Sequence, residues 1–171
     1  MCETALVVEA PDAEPLVGKT RAALDSSAAL GMPAHLTILY PFKPAEGLSS
    51  TVIATLAELA HRTPELAYQL TAVDEFDDVA LWLRPNPTDL FRDLAEAVWT
   101  HFPESPPYRG EHVETVPHLT VATERTDAGW HATRRELDRR LPWSCAATAL
   151  SIFCADQRGR WSLHERLPFG P

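Results

Sequence analysis

Cysteine, lysine and long apolar runs are scarce in this chain of 171 residues. Its three cysteines, Cys2, Cys145 and Cys154, have neither the number nor the spacing of a disulfide framework or a zinc site. No stretch approaches about 18 uninterrupted apolar residues, so we expect no membrane span. The first apolar run follows Met1–Thr4 without a basic segment, which argues against a signal peptide. These absences predict a cytoplasmic protein.

Positive charge is also scarce. The chain carries 15 Lys and Arg against 24 Asp and Glu, which gives a net charge of −9 at pH 7. A protein that binds long nucleic acid needs a basic stripe that releases counterions, and the nearest candidate, residues 134–140, is interrupted by Glu136 and Asp138. We therefore expect neither long nucleic acid nor a membrane as a partner, and we expect a monomer. A small anionic ligand needs only a local site and stays open.

The chain is predicted to be one domain over residues 1–171 with an internal repeat, because the same order of apolar patterns occurs twice. Period-2 runs predict strands, and apolar residues three or four apart after capping residues predict helices. The result is an α+β fold of two pseudo-symmetric lobes, with largely antiparallel sheets flanked by helices and the active cleft between the lobes. The predicted strands cover residues 5–10, 35–40, 67–76, 79–84, 117–122, 145–154 and 161–167, and the predicted helices cover 12–29, 88–101 and segments that begin at 49 or 50 and at 126 or 127.

One chemical motif stands at the same place in each half of the repeat. The string His-Leu-Thr-Ile begins at His35 and the string His-Leu-Thr-Val begins at His118, each at the start of a predicted strand. Side chains alternate along a strand, so His35 shares a face with Thr37, and His118 shares a face with Thr120. The same alternation predicts Tyr40 on the opposite, apolar face. If the lobes pack about a pseudo-twofold axis, the two His–Thr pairs meet in one cleft.

The motifs at 35–38 and 118–121 have a simpler interpretation, namely two half-buried strand histidines bonded to backbone groups. The chain supplies a comparison, because His131-Ala132-Thr133 has the same spacing within a predicted helix. On a helix, residues two apart point about 200° away from each other. That copy does not present both side chains on one surface, whereas two copies on strands at matching repeat positions do.

Two such motifs, beginning at positions 35 and 118, resemble the signature of the two-histidine (2H) phosphoesterase superfamily. Its members include 2′-5′ RNA ligase-like proteins and 2′,3′-cyclic phosphodiesterases. The strings HLTILYPF at 35–42 and PYRG…VPHLTVA at 107–122 are similar to bacterial 2′-5′ RNA ligase-like members. The resemblance covers nearly the whole chain and implies that the two His–Thr pairs are catalytic. The acidic composition departs from members that act on RNA ends and puts a polymeric RNA substrate in doubt.

The resemblance implies hydrolysis of a cyclic phosphodiester, such as a 2′,3′-cyclic nucleotide or a nucleotide-like small molecule, to a phosphomonoester. Histidine titrates near neutral pH, so one neutral imidazole can accept a proton from water while the other, protonated, protonates the leaving oxygen. We assign His118 as the base and His35 as the acid, although the pseudo-symmetry permits the reverse. Thr37 and Thr120 would donate hydrogen bonds to the non-bridging oxygens, where charge accumulates.

We expect no metal and no other cofactor, because neither motif has the ligand spacing of a zinc or two-metal site. The acidic group of Asp74, Glu75, Asp77 and Asp78 is better explained as a solvated strand end and turn. Two alternatives to cyclic phosphodiester hydrolysis stay open. One is 2′-5′ phosphodiester cleavage or ligation at RNA or oligonucleotide ends, and the other is a non-catalytic nucleotide-binding module.

Three further residues are candidates for substrate binding. Trp82 alternates with Leu81 and Leu83 along its predicted strand, which places it to stack a base, with core packing as the alternative. Tyr108 and Arg109 lie in the Pro-rich loop before the second motif, where they would contact a nucleobase or a phosphate. An ordinary exposed loop is the alternative for this pair.

Overall fold

The computed structural model describes residues 2–77, 79–110, 116–124 and 127–171. Within these ranges, no helix is long and apolar enough to cross a membrane. The strands are β1 (Thr4–Glu9), β2 (His35–Leu39), β3 (Leu66–Phe76), β4 (Ala80–Asn86), β5 (Leu119–Ala122), β6 (Trp143–Ala147), β7 (Ala149–Ala155) and β8 (Trp161–Pro168). The α-helices are α1 (Glu14–Leu24), α2 (Ser26–Ala29), α3 (Ser50–Arg62), α4 (Asp89–His101) and α5 (Asp127–Asp138), with 3₁₀ turns at Pro11–Ala13, Ala45–Gly47 and Pro107–Gly110.

The strands form two four-stranded antiparallel sheets. Sheet 1 has the strand order β2-β1-β7-β8, and sheet 2 has the order β5-β4-β3-β6. Helix α4 packs on β2 and α3 packs on β8, while α1 packs on β5 and α5 packs on β3. The predicted α+β class, with antiparallel sheets flanked by helices, is confirmed. The strands β2 and β5, which carry the two motifs, are edge strands of their sheets.

The two sheets do not correspond to the two halves of the sequence repeat. Sheet 1 combines β1 and β2 with the last two strands of the chain, and sheet 2 is formed by the four strands between them. The prediction of a single strand over 145–154 is wrong, because the chain passes from sheet 2 to sheet 1 at Thr148, between β6 and β7. Both segments are rich in apolar residues, so their composition gives no sign of the change of sheet.

The single helix predicted over 12–29 is also interrupted. Asp25 adopts an extended conformation between α1 and α2, with φ −124° and ψ 110°. Its carboxylate accepts a hydrogen bond from the backbone N–H of Ser27 at 3.0 Å and so caps α2. Asp12, the first residue of the predicted helix, instead accepts a hydrogen bond from the backbone N–H of Ala146 in β6 at 2.9 Å. Side-chain capping of a new turn, which apolar periodicity does not reveal, ends the first helix.

The motif strands bury their apolar face as predicted. Leu36 and Leu119 are 0% exposed, and the next apolar residues of the two motifs, Ile38 and Val121, are 1% and 0% exposed. Each such burial contributes about 1.5–3 kcal/mol relative to exposure. A one-residue slip of either strand would turn these side chains to solvent, so burial fixes the register. The same register directs the histidines and threonines away from the core.

Candidate active site

The two motif strands lie side by side although they belong to different sheets. Cα atoms of β2 and β5 approach within 8 Å of each other across the gap between the sheets. His35 is the first residue of β2, and His118 directly precedes β5. The two sequence motifs therefore start at equivalent ends of two neighbouring edge strands.

Each histidine ring is held by the backbone carbonyl two residues earlier. Nδ1 of His35 lies 2.8 Å from the carbonyl oxygen of Pro33, and Nδ1 of His118 lies 2.7 Å from that of Val116. A carbonyl oxygen only accepts hydrogen bonds, so this geometry assigns the hydrogen to Nδ1 in both rings. Nε2 is then the nitrogen that can take or give a proton. The repeat thus extends from the sequence to the orientation of the two side chains.

Burial lowers the pKa of both imidazoles, so neither ring readily holds a proton at neutral pH. It lowers the pKa of His35 to about 4, against the opposing effect of the hydrogen bond to Pro33. The charges of Arg21 and of His118 lower the pKa of His35 further. Burial also lowers the pKa of His118 from its ordinary value of 6.5. Both rings are therefore mainly neutral at pH 7, and the charge of one ring acts on the other.

Each of the three residues that lead into the first motif, Met32–Ala34, forms a hydrogen bond through its backbone. The guanidinium of Arg21 donates to the carbonyl oxygen of Met32 at 3.2 Å, and the N–H of Ala34 donates to Oε1 of Glu14 at 2.7 Å. The carbonyl between these two anchors is the one that holds His35. Helix α1 therefore positions the ring of His35 through the backbone.

Sequence reasoning missed this support, which rests on a buried ion pair. Arg21 is 2% exposed and Asp25 is 3% exposed, and Nη2 of Arg21 lies 2.9 Å from Oδ2 of Asp25. The i,i+4 spacing of the two residues was an available signal. The same spacing is also typical of exposed helix pairs, so the sequence did not reveal that this one is buried.

His118 is supported by two aromatic rings of sheet 2. Its ring centroid lies 5.0 Å from that of Phe76 and 5.8 Å from that of Trp82, edge to face in both cases. The Trp82 ring is itself stacked on Phe76, with centroids 4.8 Å apart, and the residue is 5% exposed. This burial agrees with the packing alternative that the sequence left open for Trp82. Direct stacking of a base on its ring stays a prediction.

Each motif strand has a β-bulge at the last residue of its motif. Pairing with the neighbouring strand leaves Ile38 of β2 and Val121 of β5 as the extra residues. An extra residue reverses the alternation beyond it, so Tyr40 returns to the face of Thr37 and lines the cleft. The prediction that Tyr40 lies on the apolar face is therefore wrong. Thr123, at the equivalent position of the second half, also lines the cleft.

A cleft of about 220 Å³ lies between the motif strands. It brings together three of the four predicted catalytic residues, His35, Thr37 and Thr120. His118 is outside the lining set and lies two residues before Thr120, against Trp82. The other lining residues are Ala5, Asp25, Ser26, Ser27, Met32, Tyr40, Thr123 and Trp161. Sequence reasoning did not select Trp161, which follows a turn far along the chain from either motif.

The two loop residues predicted to bind substrate lie at the rim and outside the lining set. The N–H of Tyr108 donates to the carbonyl oxygen of Tyr40 at 2.7 Å, and the guanidinium of Arg109 pairs with Glu3 at 2.9 Å. Both Tyr108 and Arg109 have positive φ, 49° and 57°. The first bond attaches the loop to the end of β2, and the second attaches it to the residue before β1. Contact of either side chain with substrate stays a prediction.

Two carboxylates of the acidic group at the end of β3 form ion pairs. Asp74 pairs with Arg84 at 2.6 Å, and Glu75 pairs with Arg134 at 2.6 Å. Asp78 lies outside the described residues. Within the part of the chain that the structure describes, no group of three His, Cys, Asp or Glu side chains is arranged to hold a metal ion. Metal-independent catalysis stays a prediction.

The lowered pKa of His35 links stability to pH. Its value is about 4 in the folded chain against 6.5 ordinarily, so the unfolded chain takes up the proton first as the pH falls. The stability gained from neutral His35 is fully present above pH 6.5 and is lost as the pH falls toward 4. Over this window we expect the wild type to lose on the order of 1–3 kcal/mol more unfolding free energy than His35→Gln does. Urea unfolding at several pH values measures this, and parallel pH dependence in the two proteins would contradict it.

The match to a known protein family covers most of the chain. The sequence profile of the 2′-5′ RNA ligase superfamily matches residues 8–159, a range that contains both motifs. The chain belongs to the 2′-5′ RNA ligase superfamily. The resemblance to the two-histidine phosphoesterases, drawn from the motifs at 35–38 and 118–121, is confirmed by this match.

Relatives of this superfamily member support the same assignment. A Bacillus licheniformis protein, provisionally named a phosphoesterase, is 29% identical over 98 residues, which are 56% of this chain and 56% of that protein. The match thus spans just over half the length of the curated relative. The crystal structure of Escherichia coli LigT complexed with 3′-AMP is similar in fold, with a TM-score of 0.64 at 19% identity over 99% of this chain and 98% of LigT. A Thermus thermophilus protein has a TM-score of 0.64 at 17% identity over 98% of this chain and 97% of its own.

Proposed function

We propose that this protein hydrolyses a small 2′,3′-cyclic nucleotide, or a similar cyclic phosphodiester, to a phosphomonoester, with His35 and His118 as acid and base. The observation that carries the proposal is the matched support of the two rings. Each ring has Nδ1 bound to the carbonyl two residues earlier and Nε2 left for proton transfer. Membership of the 2′-5′ RNA ligase superfamily supports phosphodiester chemistry at this pair.

The threonines supply hydrogen-bond donors for the phosphate. Thr37 and Thr120 stand two residues after their histidines and line one cleft from opposite strands. In the proposed complex their hydroxyls donate to the non-bridging oxygens, on which charge accumulates during displacement. For in-line displacement we further propose that the two imidazoles approach the phosphorus atom from opposite sides, His35 from sheet 1 and His118 from the start of β5 in sheet 2.

The proposed step moves two protons, one from the attacking water to the base and one from the acid to the leaving ribose oxygen. A water oxygen attacks phosphorus while Nε2 of one neutral imidazole accepts the water proton, and the bond from phosphorus to one ribose oxygen breaks. Nε2–H of the other, protonated imidazole gives its proton to that ribose oxygen. An anion within about 4–6 Å favours the charged form of histidine, so bound substrate raises the lowered pKa of the acid. The assignment of His118 as base and His35 as acid stays a prediction.

The size of the cleft and the charge of the chain support a small substrate. The cleft volume is about 220 Å³, below the ~300–1,000 Å³ that is usual for sites enclosing drug-sized ligands. The net charge of −9 disfavours long polyanions. Crystal structures of LigT, complexed with 3′-AMP and with phosphate, support a nucleotide-sized phosphate ligand in a protein of this fold.

Superfamily membership also favours a second candidate, which is 2′-5′ phosphodiester cleavage or ligation at oligonucleotide ends. The same two imidazoles would serve, because transfer to a ribose hydroxyl in place of water needs the same base and acid. A third candidate, a nucleotide-binding module without catalysis, would bind the same ligands and show no turnover.

Product analysis separates the three candidates. The protein is incubated with 2′,3′-cAMP, with 3′,5′-cAMP and with a 2′-5′-linked dinucleotide, and the products are identified by chromatography. We expect turnover of 2′,3′-cAMP to adenosine monophosphate, at a rate that EDTA leaves unchanged. Turnover of the dinucleotide alone would favour the second candidate. Binding of the nucleotides without turnover of any of them would show a binding module.

A further inference from the structure

The cleft is chemically different on its two sides. Its apolar lining residues, Ala5, Met32, Tyr40 and Trp161, all belong to sheet 1 or to the segments that adjoin β2. Among the residues that the structure describes, sheet 2 and the segment that follows β5 contribute two hydroxyl side chains to the lining, those of Thr120 and Thr123. Tyr40 and Thr123 occupy equivalent positions after the two bulges, so of this pair only the sheet 1 residue brings an aromatic ring to the cleft lining. The rings of Phe76 and Trp82 in sheet 2 lie against His118, outside that lining.

We call Tyr40 and Trp161 the aromatic wall. Their ring centroids lie 6.0 Å apart with an interplanar angle of 70°, an edge-to-face pair. Both rings are partly buried and pack on a small apolar cluster of their own, separate from the main core, formed by Ala5, Val7, Met32 and Phe153. The partly exposed surfaces of the wall therefore lie over a buried apolar base, beside His35 and Thr37.

Hydrogen bonds hold the backbone of Trp161 and the side chain of Tyr40 in place. The backbone N–H of Trp161 donates to the carbonyl oxygen of Leu30 at 2.8 Å, which connects the start of β8 to the loop before the first motif. The hydroxyl of Tyr40 donates to Oε2 of Glu3 at 2.6 Å, and Oε1 of Glu3 accepts from Arg109 at 2.9 Å. The polar end of Tyr40 is thus engaged at the rim. Fixed aromatic rings lose little conformational entropy when a planar group stacks on them.

We propose that the aromatic wall binds the nucleobase of the substrate, on the His35 side of the phosphate. This inference rests on the proposed function, because it takes the phosphate to lie between Thr37 and Thr120. From there the apolar lining extends toward sheet 1, while the opposite side offers hydroxyls. Every base has a π-face, so stacking on Trp161 recognises a nucleobase with little discrimination among bases.

The test compares a substrate with a base and a substrate without one. Trp161→Ala and Trp161→Phe are assayed with 2′,3′-cAMP and with methyl riboside 2,3-cyclic phosphate, which has the same ring phosphate and no base. We expect Trp161→Ala to lower kcat/KM for 2′,3′-cAMP about tenfold or more relative to its effect on the base-free compound, mainly through KM. Trp161→Phe restores part of the difference. Trp99→Ala, which removes a 45% exposed tryptophan of α4, is the matched control.

The outcomes separate this inference from the proposed function. If the wild type hydrolyses both compounds and Trp161→Ala affects them equally, the wall does not bind the base and the inference is wrong while the function stands. If the wild type hydrolyses neither, the proposed function is wrong. The wall is then tested by calorimetric binding of 3′-AMP against methyl riboside 3-phosphate. Loss of affinity for 3′-AMP alone in Trp161→Ala supports the wall, and an equal change for both ligands overturns it.

Discussion

Alanine in place of either motif histidine is expected to lower kcat for 2′,3′-cAMP by about 10²–10⁴-fold, with a smaller change in KM. In the proposed mechanism, His35→Ala and His118→Ala each remove one of the two proton-transfer groups, while the threonines proposed to hold the phosphate remain. Because the two rings act as a unit, the double variant should be little slower than the slower single variant. Steady-state kinetics with chromatographic product analysis measures all three proteins.

The chain contains a matched control for this experiment. His131 is exposed on α5 and stands two residues before Thr133, so it repeats the spacing of the motifs in a helical setting. We expect His131→Ala to keep wild-type kcat and KM. Wild-type kcat in either motif variant, or a comparable loss in His131→Ala, would show that the chemistry lies elsewhere.

Removal of the buried guanidinium of Arg21 should lower the free energy of unfolding substantially. Arg21→Met leaves the Asp25 carboxylate without its ion-pair partner at 3% exposure, and breaking a buried pair in this way typically costs about 3–5 kcal/mol. The double variant Arg21→Met/Asp25→Leu removes both charges and should recover part of the loss. Activity should not recover with it, because the carbonyl of Met32 beside the first motif still lacks its donor. Urea unfolding and kinetics measure the two effects separately.

An exposed ion pair of the same spacing is the control for stability. Arg62 and Glu58 form an i,i+4 pair on α3 with side chains 70% and 63% exposed. Pairs of this kind contribute at most about 0.5 kcal/mol, so Arg62→Ala should leave the unfolding free energy almost unchanged. Equal losses in Arg62→Ala and Arg21→Met would mean that burial of the Arg21–Asp25 pair carries no special weight.

Local patterns were sufficient to predict the two motif strands and one of the helices. Alternation of apolar and polar residues gave both motif strands with the correct faces for His35 and Thr37, because each strand buries one face and burial fixes its register. Apolar spacing likewise predicted a helix over 88–101, and α4 covers Asp89–His101. The repeat itself pointed to two neighbouring motif strands, which the structure places side by side.

Features that depend on pairing between distant segments were not predictable from one sequence. The bulge at Ile38, which brings Tyr40 into the cleft, is a property of the β1–β2 register and leaves no mark in the local alternation. The chain passes between the sheets at Thr148 because β6 pairs with β3, whereas β7 pairs with β1 and β8. Trp161 reaches the cleft through the place of β8 in sheet 1. These strand pairings cannot be deduced from a single sequence.

A crystal structure of the protein with bound 3′-AMP would show whether two imidazoles act on one phosphate, as we propose. We expect Nε2 of His35 and Nε2 of His118 both to lie within about 2.6–3.2 Å of oxygens of the same phosphate group. A phosphate bound away from the motif strands, or one that only a single histidine contacts, would contradict the two-histidine mechanism.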